Sequence, residues 1–252
     1  MEVHHHPHTE RKKWTHYFWE FLMLFLAVFC GFLAENIREH MIEKERGNQY
    51  IHSFYEDLLS DTIKMSNTID YDVKKINALD NMSYCFEMLN KNKDVTICLV
   101  EIIKNSMIFR GFHPNERTLK QLENAGGFRL LNNEDADSII KYRSQFAAYN
   151  GFETTVLQSS QDNVRNTFNS IADYRTNARL NIVNRDANAV EAINDKIDYP
   201  IFLINDKLSI NKFFNELLLY KRVTALQQQS LEALKYRAKI LIIYLKNKYH
   251  LE

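Results

Sequence analysis

Turn-forming residues are scarce in this chain. Six glycines and three prolines in 252 residues cannot punctuate a sheet of many short strands, so long helices are expected instead. Three cysteines do not make a disulfide framework, and one of them, Cys30, lies in the most apolar stretch. Neither charge is in excess, since Lys plus Arg and Asp plus Glu are 32 each. That balance argues against a nucleic-acid partner, which needs a basic surplus on one face. Catalytic signatures are missing as well. There is no His-Glu-x-x-His, no repeated Glu-x-x-His of the kind that builds di-iron bundles, and no Gly-x-Ser-x-Gly. Gly126-Gly127 lacks the Lys-Ser/Thr of a phosphate loop. No enzyme activity, cofactor or metal is expected. His4, His5, His6 and His8 make a metal-philic tail, but one without preorganised geometry, so a polar tail over residues 1–13 is expected.

What the chain does have is one oily run, Tyr17–Ala34. A helix rises about 1.5 Å per residue, so this run covers roughly 27 Å of a hydrocarbon core about 30 Å thick. Trp14, Tyr17 and Trp19 suit the membrane interface, with Phe21, Leu24, Ala27, Gly31 and Ala34 inside. A single-pass anchor is expected over residues 14–36, with membrane lipid as its partner. Cleavage as a signal peptide is disfavoured, because Phe32 stands where a small residue is needed before a cut at Glu35. A lipoprotein site is disfavoured by Phe29 before Cys30. Arg11, Lys12 and Lys13 precede the run, and Arg38, Lys44 and Arg46 follow it among acids. The orientation expected is N-terminus inside and the bulk outside, periplasmic at a bacterial inner membrane. Only Met1–His16 then lies on the inner side, so any signalling is expected to need a partner.

Glu20, Leu24, Ala27 and Gly31 share one helical stripe, and Ala27-x-x-x-Gly31 permits close helix approach. This is the candidate face for a homodimer or another membrane protein. Glu20 either meets a polar group there or reaches the headgroups from near the boundary.

Residues 37–47 read as a charged juxtamembrane helix, and residues 48–252 as a helical bundle domain. Apolar residues at spacings of three and four continue from Ile51 to Leu89, with a break allowed near Asp70–Asp72. A shorter helix spans Val95–Phe109, and another follows Pro114 up to Gly126-Gly127. Asn132-Asn133 before Glu134 and Asp135 marks a helix start. That helix is expected to run to about Ala192. Pro200–Asn205 is β-like but too short and solitary to make a sheet, and a last helix covers roughly Ser209–Lys248. The expected fold is all-α: an N-terminal transmembrane helix continuous with an elongated antiparallel helical bundle. Cys85 and Cys98 flank a turn at Asn90–Asp94, so they are either two buried thiols, the commoner case, or a disulfide in an oxidising compartment.

Two stretches resemble a family of single-span bacterial membrane proteins of unknown function. One is Tyr50-x-x-x-Phe54-x-x-Asp57-Leu58-x-x-Asp61. The other is Pro114-Asn115-x-x-Thr118-Leu119-x-x-Leu122-x-Asn124-Ala125-Gly126-Gly127-Phe128-x-Leu130-Leu131-Asn132-Asn133. The resemblance implies a membrane-attached helical domain and carries over no activity.

Three surfaces are candidates for contact. Glu56, Asp57 and Asp61 form an acidic group, read first as a solvated face and second as a cation or basic-partner site. Arg110, Phe112 and His113 with Phe128 and Arg129 form a loop surface of aromatics and arginines, against which stands packing of Phe112 and Phe128 into the bundle. Tyr142, Phe146 and Tyr149 are expected to line a cleft if the domain binds a small ligand. The function expected is a scaffold or sensor acting through protein–protein contacts. The alternative is an extracytoplasmic ligand-binding bundle.

Overall fold

One helix is the spine of the molecule. In the computed structural model, which describes residues 13–91, 93–124, 126–176, 178, 199–203 and 206–251, helix α1 runs unbroken over Trp14–Asp80. From Trp14 to Arg46 no residue is buried, and burial begins at Gly47. Beyond Gly47 the buried positions recur every three or four residues (Ile51, Phe54, Leu58, Asp61, Met65, Ile69, Asp72, Lys75, Leu79), the period of one helix face against a core. The break allowed near Asp70–Asp72 is absent. Asp70 faces solvent and Asp72 keeps its place on the buried stripe, so the helical period is never interrupted. The joint falls instead at Asn81, after which α2 (Met82–Asn90) continues.

Helix α3 (Thr96–Met107) turns back against α1, and residues 108–116 cross the bundle without helix. Helix α4 (Arg117–Asn124) and a 3-10 turn (Gly127–Leu130) follow. Helix α5 (Asn133–Phe152) starts where the two asparagines predicted, the Asn132 side chain accepting from the Asp135 N–H at 2.9 Å. A π-helical turn (Glu153–Leu157) joins it to α6 (Gln158–Ile171).

The expectation of helix to about Ala192 is corrected. Helix α6 ends at Ile171, because Ala172 turns extended and pairs with Phe202 in a single antiparallel bridge. The Pro200 run thus finds one backbone partner but makes no strand, and no strand occurs among the described residues. Residues 179–198 and the histidine-rich tail lie outside the described residues. The last helix, α7 (Lys207–Tyr249), is capped by the Asp206 side chain.

Helix α7 lies antiparallel to α1, since Ile51–Ile69 share a cluster with Leu231–Leu245 and Leu79 shares one with Ile210–Val223; Lys75 bonds to Tyr220 and Asp80 pairs with Lys221 between them. It is also antiparallel to α5 and α6, with Asp135 bonded to Lys248 and Glu153 to Gln227, while Phe168 stacks on Phe213. Two apolar clusters fill the bundle. One holds Ile51 through Ile69 with Phe112, Tyr142 and Leu231 through Leu245. The other holds Leu79, Cys85, α3, Leu157 through Ala172 and Ile210 through Val223. Polar side chains separate them.

The stretches Tyr50–Asp61 and Pro114–Asn133 pack on each other. Asp57 accepts from the Thr118 hydroxyl at 2.6 Å, and the Asp61 carboxylate accepts from the Asn115 N–H at 3.0 and 3.2 Å. Gly47 lets the 3-10 turn lie on α1, since a Cβ there would stand 2.5 Å from the Leu130 carbonyl oxygen. Gly126 takes φ +64°, a left-handed backbone that costs an L-residue roughly 1–2 kcal/mol. Gly126→Ala is therefore expected to lower bundle stability by about that amount, read as a shift in the urea midpoint with unchanged slope.

Candidate functional site

The predicted surfaces do not survive as one site. Phe112 is 1% exposed, with its ring against Phe146 and Tyr149 at 6.1 Å each, so it is a core residue and not a contact. Phe128 is half-buried against the same cluster. His113 and Arg129 are exposed, and Arg129 lies 3.9 Å from Glu43 on the unburied part of α1. Arg110 is exposed and lays its guanidinium over the Tyr71 ring at 4.5 Å. The Glu56, Asp57 and Asp61 group is a solvated face only at Glu56, which is exposed, 3.5 Å from His52. Asp61 is 3% exposed and is spent, with Asp57, on the Asn115–Thr118 turn. Burial raises the Asp61 pKa, against the opposing pull of the Asn115 N–H and Lys64. Phe146 and Tyr149 sit in the core, so the expected cleft with Tyr142 is absent. Tyr142 instead lines an open groove of about 290 Å³ between α5 and α7, with Lys141, Gln145, Arg237, Ile240 and Tyr244.

On the Glu20–Gly31 stripe, Glu20 meets His16 at 3.1 Å, one turn earlier. Leu24, Ala27, Gly31 and Ala34 are exposed, and a Cβ on Gly31 would touch nothing. Phe21, Phe25 and Phe29 stack in sequence along another line of the same helix. Cys85 and Cys98 are joined as a disulfide between α2 and α3, Cα to Cα 6.0 Å.

The densest chemistry is the polar layer at mid-bundle, which sequence reasoning missed. It exists because an extended segment crosses there. Backbone groups away from water need partners, and those of residues 107–112 find them in side chains. The Phe112 N–H donates to Glu153 Oε1 at 2.9 Å. Tyr149 donates to the same oxygen at 2.6 Å, and Gln227 Nε2 at 3.3 Å. Gln161 donates to the Met107 carbonyl at 3.1 Å, and Tyr71 to that of Ile108 at 3.3 Å. The π turn carries Glu153 inward at this level, a use of π geometry that recurs at functional sites.

Two residues of α1 complete the layer. Lys75, 1% exposed, donates to the Tyr220 hydroxyl at 2.7 Å and lies against the rings of Tyr71 (5.0 Å) and Tyr220 (4.8 Å). Asp72 is fully buried, and both its carboxylate oxygens lack a hydrogen-bond partner, as do Ser160 Oγ and Gln227 Oε1. Burial pushes the Asp72 carboxyl up to about 7, Glu153 adding to the shift and Lys75 opposing it. Burial also pulls the Lys75 ammonium down to about 8, Asp72 opposing and Arg110 adding.

Compared with protein-family models, curated proteins and solved structures, the chain matches none. The reading of function therefore rests on geometry. Among the described residues no cluster of three or more His, Cys, Asp or Glu side chains is placed to hold a metal ion. The layer offers instead two buried titratable groups one helical turn apart. A sequence signal for them existed: Asp72 occupies an apolar-stripe position between Ile69 and Leu79, and Thr224 and Gln227 do the same between Tyr220 and Leu231.

Proposed function

We propose that this protein is a membrane-anchored helical module, non-catalytic, that acts through protein–protein contacts as a scaffold or sensor. The observation that carries this reading is the spine. An 18-residue window of its first helix has mean hydropathy 2.0 and is wholly unburied, and the same helix goes on without a break to form the bundle core. Between them Glu35–Arg46 makes a solvated stalk about 18 Å long. The family resemblance of the two mutually packed stretches agrees with this. The disulfide supports an oxidising compartment for the bundle, hence the periplasmic side of a bacterial inner membrane.

The intact chain is expected to stay with membranes through an alkaline carbonate wash and to come off in detergent. Release by carbonate would reject the anchor. Self-association is expected along the Ala27–Gly31 stripe. Single cysteines at Ala27 or Gly31, with Cys30 replaced by serine, should crosslink to a dimer under mild oxidation; monomer alone would reject that part. A second reading, a small-ligand module, is favoured by the α5–α7 groove with Lys141 and Arg237 on its walls. A ligand that raises the melting temperature of the wild type but not of Arg237→Ala would support it.

A further inference from the structure

The polar layer contains one carboxylate that nothing in the bundle serves. Glu153, Gln161, Gln227 and Tyr71 hold the backbone of the crossing segment. Asp72 and Lys75 hold none of it. They stand three residues apart on α1, a spacing at which a carboxylate and an ammonium readily meet. They do not pair here. Lys75 has gone across to Tyr220 on α7, and both Asp72 oxygens are bare. An ionised carboxylate left bare in a protein core costs far more than the neutral acid in the same place. The bare oxygens favour a protonated Asp72 over an ionised one.

The surroundings fit. Facing the pair are Glu153 from the π turn, Arg110 from the crossing segment, Tyr71 from α1 itself and Tyr220 from α7. Arg165 of α6 acts on Tyr220. Tyr149 of α5 is bonded to Glu153, and α6 brings the uncharged Ser160 and Gln161. Burial drives the Tyr220 hydroxyl far above its usual range, so it stays a neutral partner for Lys75.

We infer that Asp72 and Lys75 form a proton-operated latch in the spine helix: while Asp72 keeps its proton Lys75 stays on Tyr220, and when that proton passes to solvent Lys75 turns back to Asp72 and frees Tyr220. The latch exchanges a bond between α1 and α7 for one within α1. The midpoint falls near neutrality, since burial has brought Asp72 to about 7 and Lys75 to about 8. From Asp72 to the end of the oily run is about 57 Å of one helix. The latch goes beyond the anchor reading and does not rest on it, because its test reads the bundle whether or not α1 crosses a membrane.

The test is infrared difference spectroscopy on the full chain in detergent, with carboxyl-¹³C aspartate, between about pH 5.5 and pH 8.5. Wild type should lose an isotope-shifted protonated-carboxyl band with a midpoint near neutrality, and Asp72→Asn should lack that band. Tyr220→Phe removes the acceptor that holds Lys75. Its band should vanish about one pH unit lower, a tenfold shift in proton affinity. Three results would overturn the latch: no labelled band in wild type, a band that persists in Asp72→Asn, or an unmoved midpoint in Tyr220→Phe. If Asp72→Asn does not fold, the wild type and Tyr220→Phe decide the matter alone.

Discussion

Truncating Glu153 to alanine is expected to destabilise the bundle by about 3–5 kcal/mol, because buried donors lose the acceptor they share. Three donors converge on its Oε1: the Phe112 N–H, the Tyr149 hydroxyl and the Gln227 amide. Without it the Phe112 N–H and the Tyr149 hydroxyl lose their acceptor, at about 1–3 kcal/mol for each group that water cannot reach, while Gln227 keeps the Arg110 carbonyl and the Tyr149 oxygen. The loss would not stay local. Phe112 is the apolar plug of the crossing segment, and its position depends on that N–H. Glu153→Gln keeps an acceptor oxygen in the same place and is expected to cost much less, about 1 kcal/mol. Thermal melts of the two variants in one detergent should differ by about 10 °C, at a few degrees per kcal/mol for a domain of this size. Equal melting temperatures would mean that the carboxylate, not the acceptor, is what matters.

The difference between what could and could not be read beforehand follows from the range of the interactions. The spine, the helix start at Asn132 and the glycine break at Gly126 are local matters: period, capping and a positive φ all act within a few residues. The end of α6 is not local. Ala172 and Asp173 are not helical because Ile201–Leu203 offer backbone partners, and nothing in the intervening sequence announces that pairing. Phe112 had two readings, contact or packing, and its burial decides for packing. A loop aromatic beside an arginine resembles a contact residue, yet the loop here crosses the core and not the surface. Asp57 and Asp61 look like an acidic patch on one helix. Only the fold brings Asn115 and Thr118 to them. The polar layer was the hardest to see, since its members lie on four separate segments. Its trace in the sequence was the charge at Asp72, where the stripe calls for an apolar residue.

That charge gives the largest pH effect. Between about pH 5 and pH 7 the bundle is expected to lose stability as pH rises, the reverse of the usual carboxylate behaviour. The sign follows from proton binding. Folded Asp72 titrates at about 7 and the unfolded carboxyl at 3.8, so in this window the folded state holds a proton that the unfolded state has released. Stability falls with pH wherever the folded state binds more protons, by about 1.4 kcal/mol per unit for one group, hence on the order of 4 kcal/mol over the full shift. Asp61, also raised by burial, acts in the same direction. Asp135 acts oppositely. Burial would raise it, but bonds from Lys248, Tyr249 and Tyr244 outweigh burial and lower it, so its contribution is lost only in more acid solution. On the alkaline side Lys75 reverses the trend. Its folded value is about 8 against 10.5 unfolded, so the unfolded state binds the extra proton and stability recovers as pH rises through that interval. A plot of melting temperature against pH should therefore dip between about 7 and 8. Asp72→Asn should flatten the acid limb of the dip, and Lys75→Met the alkaline limb. A profile that instead peaks near neutrality, or that Asp72→Asn leaves unchanged, would show that Asp72 carries its charge in the folded protein at no cost.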